Sequence, residues 1–146
     1  MESAVIFEIL LIEDSAHDAR LTIEAFRDAK TPAKVHTVEN GEDALRFLRR
    51  QPPYSKQRTP QLVVLDLNLP GLSGYDVLTA MKADQKLKSL PVIVITSSDN
   101  PADVERAYAN QVSVYLKKPV DPDHYFTMIR VIKELWFRFA ILPQPD

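Results

Sequence analysis

The chain contains no cysteine. That excludes a disulfide scaffold, a thiolate metal site and a cysteine nucleophile. A reducing compartment suits such a composition, and a cytoplasmic location is expected. There is also no excess of positive charge, since 18 Lys and Arg stand against 20 Asp and Glu, for a formal net charge of −2. This balance gives no electrostatic footprint for nucleic acid. No apolar run is long enough to span a bilayer, and the start of the chain lacks the basic and apolar regions of a signal peptide. Neither nucleic acid nor membrane is therefore expected as a partner. Internal repeats, low-complexity tracts and long blocks of like charge are missing too.

What is present suits one domain. The 146 residues, 45% of them hydrophobic and 26% charged, are enough for a single core. The organising stretch is Leu62-Val63-Val64-Leu65-Asp66-Leu67-Asn68-Leu69-Pro70-Gly71. It is an apolar run of strand length that ends on one carboxylate and is closed by a Pro-Gly turn, which reads as a fully buried strand of a parallel sheet.

The same punctuation recurs along the chain. Ile6 to Ile12 is a second buried strand and ends on Glu13-Asp14. Ser15, with Asp18 three residues on, opens a helix whose apolar stripe is Leu21, Ala25, Phe26 and Ala29, and Thr31-Pro32 ends it. Lys34 to Glu39 alternates as a half-exposed edge strand does. Asn40 and Asp43 start a helix carrying Ala44, Leu45 and Leu48. Gln51 to Pro60 is a polar, proline-containing loop that looks like an insertion. Ser73 and Asp76 cap a helix with Val77, Leu78 and Met81 inside. Pro91 to Thr96 is a further buried strand. Asn100-Pro101 opens a short helix anchored by Val104 and Tyr108. Val112 to Lys117 is the last strand, Lys118-Pro119 breaks it, and Asp121-Pro122 opens the final helix.

Five strands alternating with five helices argue for a parallel α/β sheet covered on both faces. The common five-strand order is 2-1-3-4-5, with its switch point between the first and third strands. That order suits the alternating second strand, which takes an edge. It also brings Glu13, Asp14 and Asp66 to one crevice at the carboxyl ends of the strands.

Three carboxylates in one crevice repel, so either a proton or a cation must enter. An all-oxygen ligand set suits Mg²⁺, which keeps some waters and favours phosphate oxygens. Asp14 and Asp66 are the expected direct ligands, Glu13 is placed to hold a metal-bound water, and the Asn68 carbonyl can add another ligand. Thr96 and Lys118 end the fourth and fifth strands and border the same crevice. A hydroxyl donor, an ammonium and a metal are what a phosphoryl group needs, and Asp66 can then act as nucleophile and form an acyl phosphate. Lys117 is the rival for the lysine role. Alternation puts the two lysines on opposite faces, and Lys118 is preferred because the turn at Pro119 can aim it inward.

These pieces together resemble the receiver domain of two-component response regulators. The matching segments are Leu11-Ile12-Glu13-Asp14-Ser15, Val64 to Pro70, Ile95-Thr96-Ser97-Ser98 and Tyr115-Leu116-Lys117-Lys118-Pro119, and they cover about residues 8 to 134. The resemblance implies that Asp66 is the phosphoacceptor and that Glu13, Asp14 and the Asn68 carbonyl serve Mg²⁺. It implies that Thr96 and Lys118 contact the phosphoryl group, that Tyr115 is an aromatic switch residue coupled to Thr96, and that a sensor histidine kinase is the phosphodonor. On the residues alone, Tyr115 is a half-buried strand residue whose hydroxyl needs a partner. Two departures stand out. The acidic pair is Glu-Asp where many members have Asp-Asp, and Gln111-Val112, with Asn110 ahead of it, stands where Gly-Ala is common before the last strand.

The five βα units use nearly all of residues 1–146, so a single receiver with a protein contact as output is expected. Residues 122–146 form an extended last helix and tail. Tyr125, Ile129, Ile132 and Trp136 make one apolar stripe that can face the sheet. Met128, Val131, Leu135 and Leu142 make a second, widened by Phe137, Phe139 and Ile141. A surface helix needs only one such stripe. A homodimer through this helix and the Ala140 to Pro143 tail is expected, the alternative being a tail folded over its own core. The long loop, the Leu-Asn-Leu-Pro turn and the aromatic Leu-Pro ending are also similar to the stand-alone regulators paired with bacterial phytochrome kinases.

Two other functions compete. A haloacid-dehalogenase-like phosphohydrolase would need a second Asp two residues after its nucleophile, where this chain has Asn68. A flavodoxin-like cofactor binder would need a phosphate-cradling first loop, but Asp14-Ser15-Ala16-His17-Asp18 is acidic and lacks glycine.

Overall fold

The computed structural model describes residues 6–27 and 32–143. Five strands, β1 (Phe7–Ile12), β2 (Ala33–Val38), β3 (Leu62–Leu65), β4 (Val92–Thr96) and β5 (Val114–Lys117), form one parallel sheet in the order β2-β1-β3-β4-β5. Between and after them run α1 (Ala16–Phe26), α2 (Gly41–Leu48), α3 (Gly74–Ala83), α4 (Pro101–Ala109) and α5 (Pro122–Lys133). A π turn over Glu134–Phe139 extends α5. The expected order and the edge position of the alternating β2 strand are both present.

The period-two geometry of a strand splits each apolar run between two cores. Leu10, Ile12, Val63, Leu65, Val92 and Val94 point to one face, where they meet Ala44 and Phe47 of α2, Val77, Leu78 and Met81 of α3, and Ala107 of α4. Ile9, Leu11, Leu62, Val64, Ile93 and Ile95 point to the other, against Phe26 of α1 and Tyr125, Ile129 and Ile132 of α5. All four residues of β3 are buried, so no polar residue is tolerated within it. Each of those side chains contributes about 1.5–3 kcal/mol on burial. The first polar residue after this run is Asp66.

Backbone pairing continues past the strand ends. Glu13 N–H donates to the Val38 carbonyl (3.0 Å), Asp66 N–H to the Ile12 carbonyl (3.0 Å) and Lys118 N–H to the Thr96 carbonyl (2.7 Å). These bonds fix the backbone of three crevice residues to the sheet.

Three expectations change. In α4 the buried anchor is Ala107, while Val104 is half-buried and Tyr108 is 47% exposed. The Tyr108 ring lies outside the core, and its hydroxyl accepts the Tyr115 N–H (3.1 Å). In the last helix Phe137 is buried and Trp136 is only half-buried. A uniform helical period sends position 136 inward after 125, 129 and 132, but the π turn widens the backbone and advances the inward position by one residue. Phe137 then stacks on Phe7, with ring centroids 4.4 Å apart and planes 8° from parallel. Lys133, which no apolar pattern selects, is 3% exposed and donates to the Phe26 carbonyl at 2.8 Å. The expected stripe residue Ala29 and the stop at Thr31 lie outside the described residues.

The turn before β5 is made without glycine. Gln111 takes the left-handed conformation with φ of 65°. Its N–H donates to the Tyr108 carbonyl (2.9 Å), and Asn110 closes α4 onto Arg106 and Ala107. The inserted loop, Gln51 to Pro60, carries no helix or strand, but Tyr54 packs on the Phe47 ring at 5.3 Å.

Candidate functional site

Four strand ends and one helix start build the crevice. Asp66 follows β3 and is 5% exposed. Its Oδ1 accepts from the Thr96 hydroxyl (3.0 Å) and from the Asn68 backbone N–H (3.0 Å). Its Oδ2 accepts from the Lys118 ammonium (2.7 Å). Both oxygens are thus held, and the carboxylate orientation is set by three separate elements.

Lys118 is the hub on the opposite wall. Its ammonium lies 2.6 Å from Glu13 Oε1, 2.7 Å from Asp66 Oδ2 and 2.8 Å from Asp18 Oδ2. Burial works against this charge, but the hydrogen bonds to Asp18, Asp66 and Glu13 outweigh it and hold the ammonium above the ordinary lysine range. Lys117, the rival, points to the outer surface and pairs with Asp99 at 2.9 Å. The choice between the two lysines is therefore decided by which one the turn at Pro119 aims inward.

Glu13 is 4% exposed. Burial pushes its carboxyl up to about 7, and the Asp66 charge adds to the rise against the pull of Lys118. Asp14, the next residue, is exposed at the crevice mouth. One carboxylate oxygen each from Glu13, Asp14 and Asp66 lies within 4.8 Å of the others. Three carboxylates, those of Glu13, Asp18 and Asp66, thus contact the Lys118 ammonium, and Asp14 adds a fourth negative charge beside two of them. A buried carboxyl with a raised pKa marks a site short of positive charge, and an oxygen-only cluster of this size fits a hard divalent cation.

Thr96 is fully buried, with its hydroxyl turned to Asp66. Tyr115 lies on the neighbouring strand β5, opposite Val94, and its hydroxyl donates to the Ser98 carbonyl at 2.8 Å. The expected partner for that hydroxyl is therefore two residues beyond Thr96, on the loop that Thr96 begins. The same loop is held from below. Ser98 Oγ donates to Asp103 Oδ2 (2.6 Å), and the Tyr75 hydroxyl donates to Asp103 Oδ1 (2.9 Å). The bond from Ser98, and then that from Tyr75, holds the Asp103 carboxyl below its usual range. Burial and the facing Asp103 push Tyr75 up to about 12.

All the residues singled out from the sequence meet here: Glu13, Asp14, Asp66, Thr96 and Lys118 line the crevice, Asn68 is joined to it through its N–H, and Tyr115 borders it. Asp18 was legible only as a helix-capping residue, yet it contacts Lys118. Ser98 was legible only as part of the Ile95 to Ser98 segment, and Asp103 and Tyr75 were not singled out at all, because their contacts join α3, α4 and β5, which no local pattern relates. Among the described residues no helix is long and apolar enough to cross a membrane.

Comparison with known proteins agrees with this geometry. Response regulator Rcp1 of Synechocystis sp. is 36% identical over 135 residues, covering 92% of each chain. The crystal structure of its Mn²⁺-bound form superposes with a TM-score of 0.90 at 36% identity, covering 94% of this chain and 99% of that one. The phosphorylated cyanobacterial phytochrome response regulator RcpA superposes with a TM-score of 0.93 at 36% identity, covering 96% of this chain and all of that one. A probable methanogenesis regulatory protein, FilR2 of Methanothrix harundinacea, is 34% identical over 95% of this chain and 89% of its own. Residues 9–130 match the response regulator receiver domain. With that match joined to the 2-1-3-4-5 sheet and the carboxylate crevice at its switch point, the chain belongs to the response regulator receiver family.

Proposed function

We propose that Asp66 is the phosphoacceptor of this receiver. The observation that carries the reading is the Asp66 carboxylate itself, buried and held between the Thr96 hydroxyl, the Lys118 ammonium and two further carboxylates. An Asp66 oxygen attacks the phosphorus of a phosphohistidine on a sensor kinase. The O–P bond forms as the donor's N–P bond breaks, and the imidazole leaves with that electron pair. Glu13, Asp14, Asp66 and the Asn68 carbonyl would hold Mg²⁺, which supplies charge neutralisation for the phosphoryl oxygens. Thr96 and Lys118 donate to those oxygens, and in the reverse half-cycle water attacks the phosphorus as the Asp66 O–P bond breaks, which frees inorganic phosphate and returns the carboxylate. On this reading the chain turns over no other substrate.

Movement of Thr96 toward the phosphoryl group frees the space beside Tyr115 and pulls on the loop that ends in Ser98. The change in affinity for a partner can be only as large as the difference in phosphoryl contacts between the two states. The 2.8 Å bond from Tyr115 to Ser98 supports this role, because it ties the aromatic residue to the Thr96 loop. Likeness to Rcp1 and to the phytochrome regulator RcpA supports a phytochrome-type histidine kinase as donor.

The test is phosphoryl uptake from acetyl phosphate, with and without Mg²⁺, read by intact mass. A gain of one phosphoryl group that needs Mg²⁺ and is lost in Asp66→Asn is the expected result. Uptake that persists in Asp66→Asn overturns the assignment.

The output surface has its own support. Val131, Leu135, Phe139 and Ile141 are 60%, 49%, 70% and 99% exposed along α5, the π turn and the tail. A second copy of this chain is the proposed occupant, so that residues 122–146 serve as a dimer interface on a single receiver. Sedimentation at micromolar concentration should give a dimer that Leu135→Glu dissociates. A monomeric wild type refutes this part without touching the phosphoacceptor.

A further inference from the structure

The pattern Asx or Ser followed three residues later by Asp opens four helices of this protein, α1 to α4. In α2 and α3 the Asp turns back on its own cap, while in α4 Asp103 takes the Ser98 and Tyr75 hydroxyls. In α3, Asp76 Oδ2 accepts from the Ser73 N–H (3.0 Å) while Ser73 Oγ accepts from the Asp76 N–H (3.2 Å). In α2, Asp43 Oδ2 accepts from Asn40 Nδ2 (3.2 Å), and Asn40 accepts the Asp43 N–H (2.7 Å). In α1 only half of this arrangement exists. Ser15 Oγ accepts the Asp18 N–H (3.2 Å), but the Ser15 N–H goes to Glu13 Oε2 (3.2 Å) instead. The Asp18 carboxylate leaves its cap and takes the Lys118 ammonium at 2.8 Å, across 100 residues of sequence.

Lys118 therefore has three carboxylate partners, and they differ in kind. Glu13 and Asp66 belong to the cluster of three that fits a divalent cation, whereas Asp18 does not. Glu13 and Asp66 cannot serve a divalent cation and keep the ammonium at full strength, because the two positive charges repel across a few ångströms of partly buried space. Asp18 faces no such choice. Its backbone is also fixed: its carbonyl accepts the Thr22 hydroxyl at 2.9 Å, and that buried hydroxyl lies 2.6 Å from the Tyr125 hydroxyl of α5.

We propose that Asp18 is a positioning residue for phosphoryl transfer: it anchors Lys118 at the crevice when Glu13 and Asp66 turn to the metal. The inference rests on the phosphoacceptor reading given above. Asp18 does not touch the phosphoryl group. It holds the ammonium that does, and so keeps a long, rotatable side chain from swinging to solvent at the moment its other two partners are engaged elsewhere.

The experiment pairs a structural readout with a kinetic one, on wild type, Asp18→Asn and Asp18→Glu. The first readout is the ¹⁵N signal of the Lys118 ammonium during Mg²⁺ titration. Wild type should keep a protected, hydrogen-bonded ammonium at saturating Mg²⁺. Asp18→Asn should keep it without Mg²⁺, where Glu13 and Asp66 remain, and lose it as Mg²⁺ is added. The second is the rate of phosphoryl uptake from acetyl phosphate at saturating Mg²⁺, which should fall about tenfold in Asp18→Asn, less than the roughly hundredfold loss for a displaced reacting group because the ammonium is loosened and not removed. Asp18→Glu should return most of that rate. All three proteins keep the backbone N–H bond to Ser15, so a helix-capping role alone predicts no such rescue. An Asp18→Asn protein that keeps both its ammonium signal in Mg²⁺ and its uptake rate overturns the proposal. A wild type that takes up no phosphoryl group fails the phosphoacceptor reading instead, and the ammonium titration still judges the anchor.

Discussion

Gly74→Ala sets two effects of opposite sign against each other. Gly74 is the first residue of α3, and its backbone has no left-handed strain. On helix propensity alone, alanine should stabilise the protein by about 1 kcal/mol. Space argues the other way. A Cβ at this position would lie 2.6 Å from Leu67 Cα and 2.8 Å from the Asp66 carbonyl oxygen. Both atoms are backbone, so no side chain can rotate aside, and the Gly74 N–H is itself bonded to the Leu67 carbonyl at 3.1 Å. Forcing one methyl group into such a contact costs about 1–3 kcal/mol. Because both contacts are to backbone and lie under 3.0 Å, the clash falls at the upper end of that range and should win, with a net loss of up to about 2 kcal/mol. The site is also affected, because the atoms that must move belong to Asp66 and the residue after it. A shift of about 1 Å in a reacting group can cost on the order of a hundredfold in rate. Urea unfolding should show the loss of stability, and acetyl phosphate uptake should slow by more than the change in folded fraction explains. A Gly74→Ala protein that is more stable than wild type and phosphorylates at the same rate would refute the reasoning.

Three more outcomes follow from the packing and the titration of the site. Phe137→Ala should cost about 3–5 kcal/mol in urea melts, since it empties a buried place against Phe7, whereas half-buried Trp136→Ala should cost clearly less; equal losses would mean that the π turn does not set the register. Gln111→Gly should stabilise by roughly 0.5–1 kcal/mol in thermal melts, because relief of the left-handed strain at φ 65° outweighs the entropy that glycine adds to the unfolded chain; a lower midpoint contradicts this. The Glu13 carboxyl is raised from 4.5 to about 7. The folded state therefore binds a proton that the unfolded state releases across that window, and this stabilisation is complete below about pH 4.5 and lost as pH rises through 7. Metal-free protein should lose stability between pH 5 and 8, Glu13→Gln should flatten that slope, and an unchanged slope would assign the titration elsewhere.

The order of the sheet and the membership of the crevice were legible because both follow from short-range signals. Continuous apolar runs name the buried strands, and the first polar residue after each run names a strand end. Glu13, Asp66 and Thr96 are residues of that type, so a topology was enough to bring them together; Lys118 stands one place further on, behind Lys117, and needed the turn at Pro119 to select it. The interior of α5 was legible as far as Ile132 for the same reason, since a fixed period of 3.6 residues names its inward face. It failed at Phe137 because a π turn changes the period within the element. Tyr108 misled for a different reason: helical spacing marks it as an anchor, but its hydroxyl is engaged by the Tyr115 N–H at the end of the short helix, and the ring stays at the surface.

Asp18 and Asp76 mark the limit of local reading most clearly. Each follows a serine by three residues at the start of a helix, and each serine accepts the N–H of its aspartate. Nothing within the pattern distinguishes them. What separates them is tertiary packing: α1 lies against α5, whose chain enters just after Lys118, and so Asp18 has a partly buried ammonium that Asp76 does not have. A charge-assisted bond to that ammonium is stronger than the return bond of a capping box, and Asp18 takes it. The helix start is encoded in the short pattern, while the destination of its carboxylate is encoded in the topology. That is why a residue which local spacing assigns to a helix cap is found bound to Lys118, the hub of the charge network around Asp66.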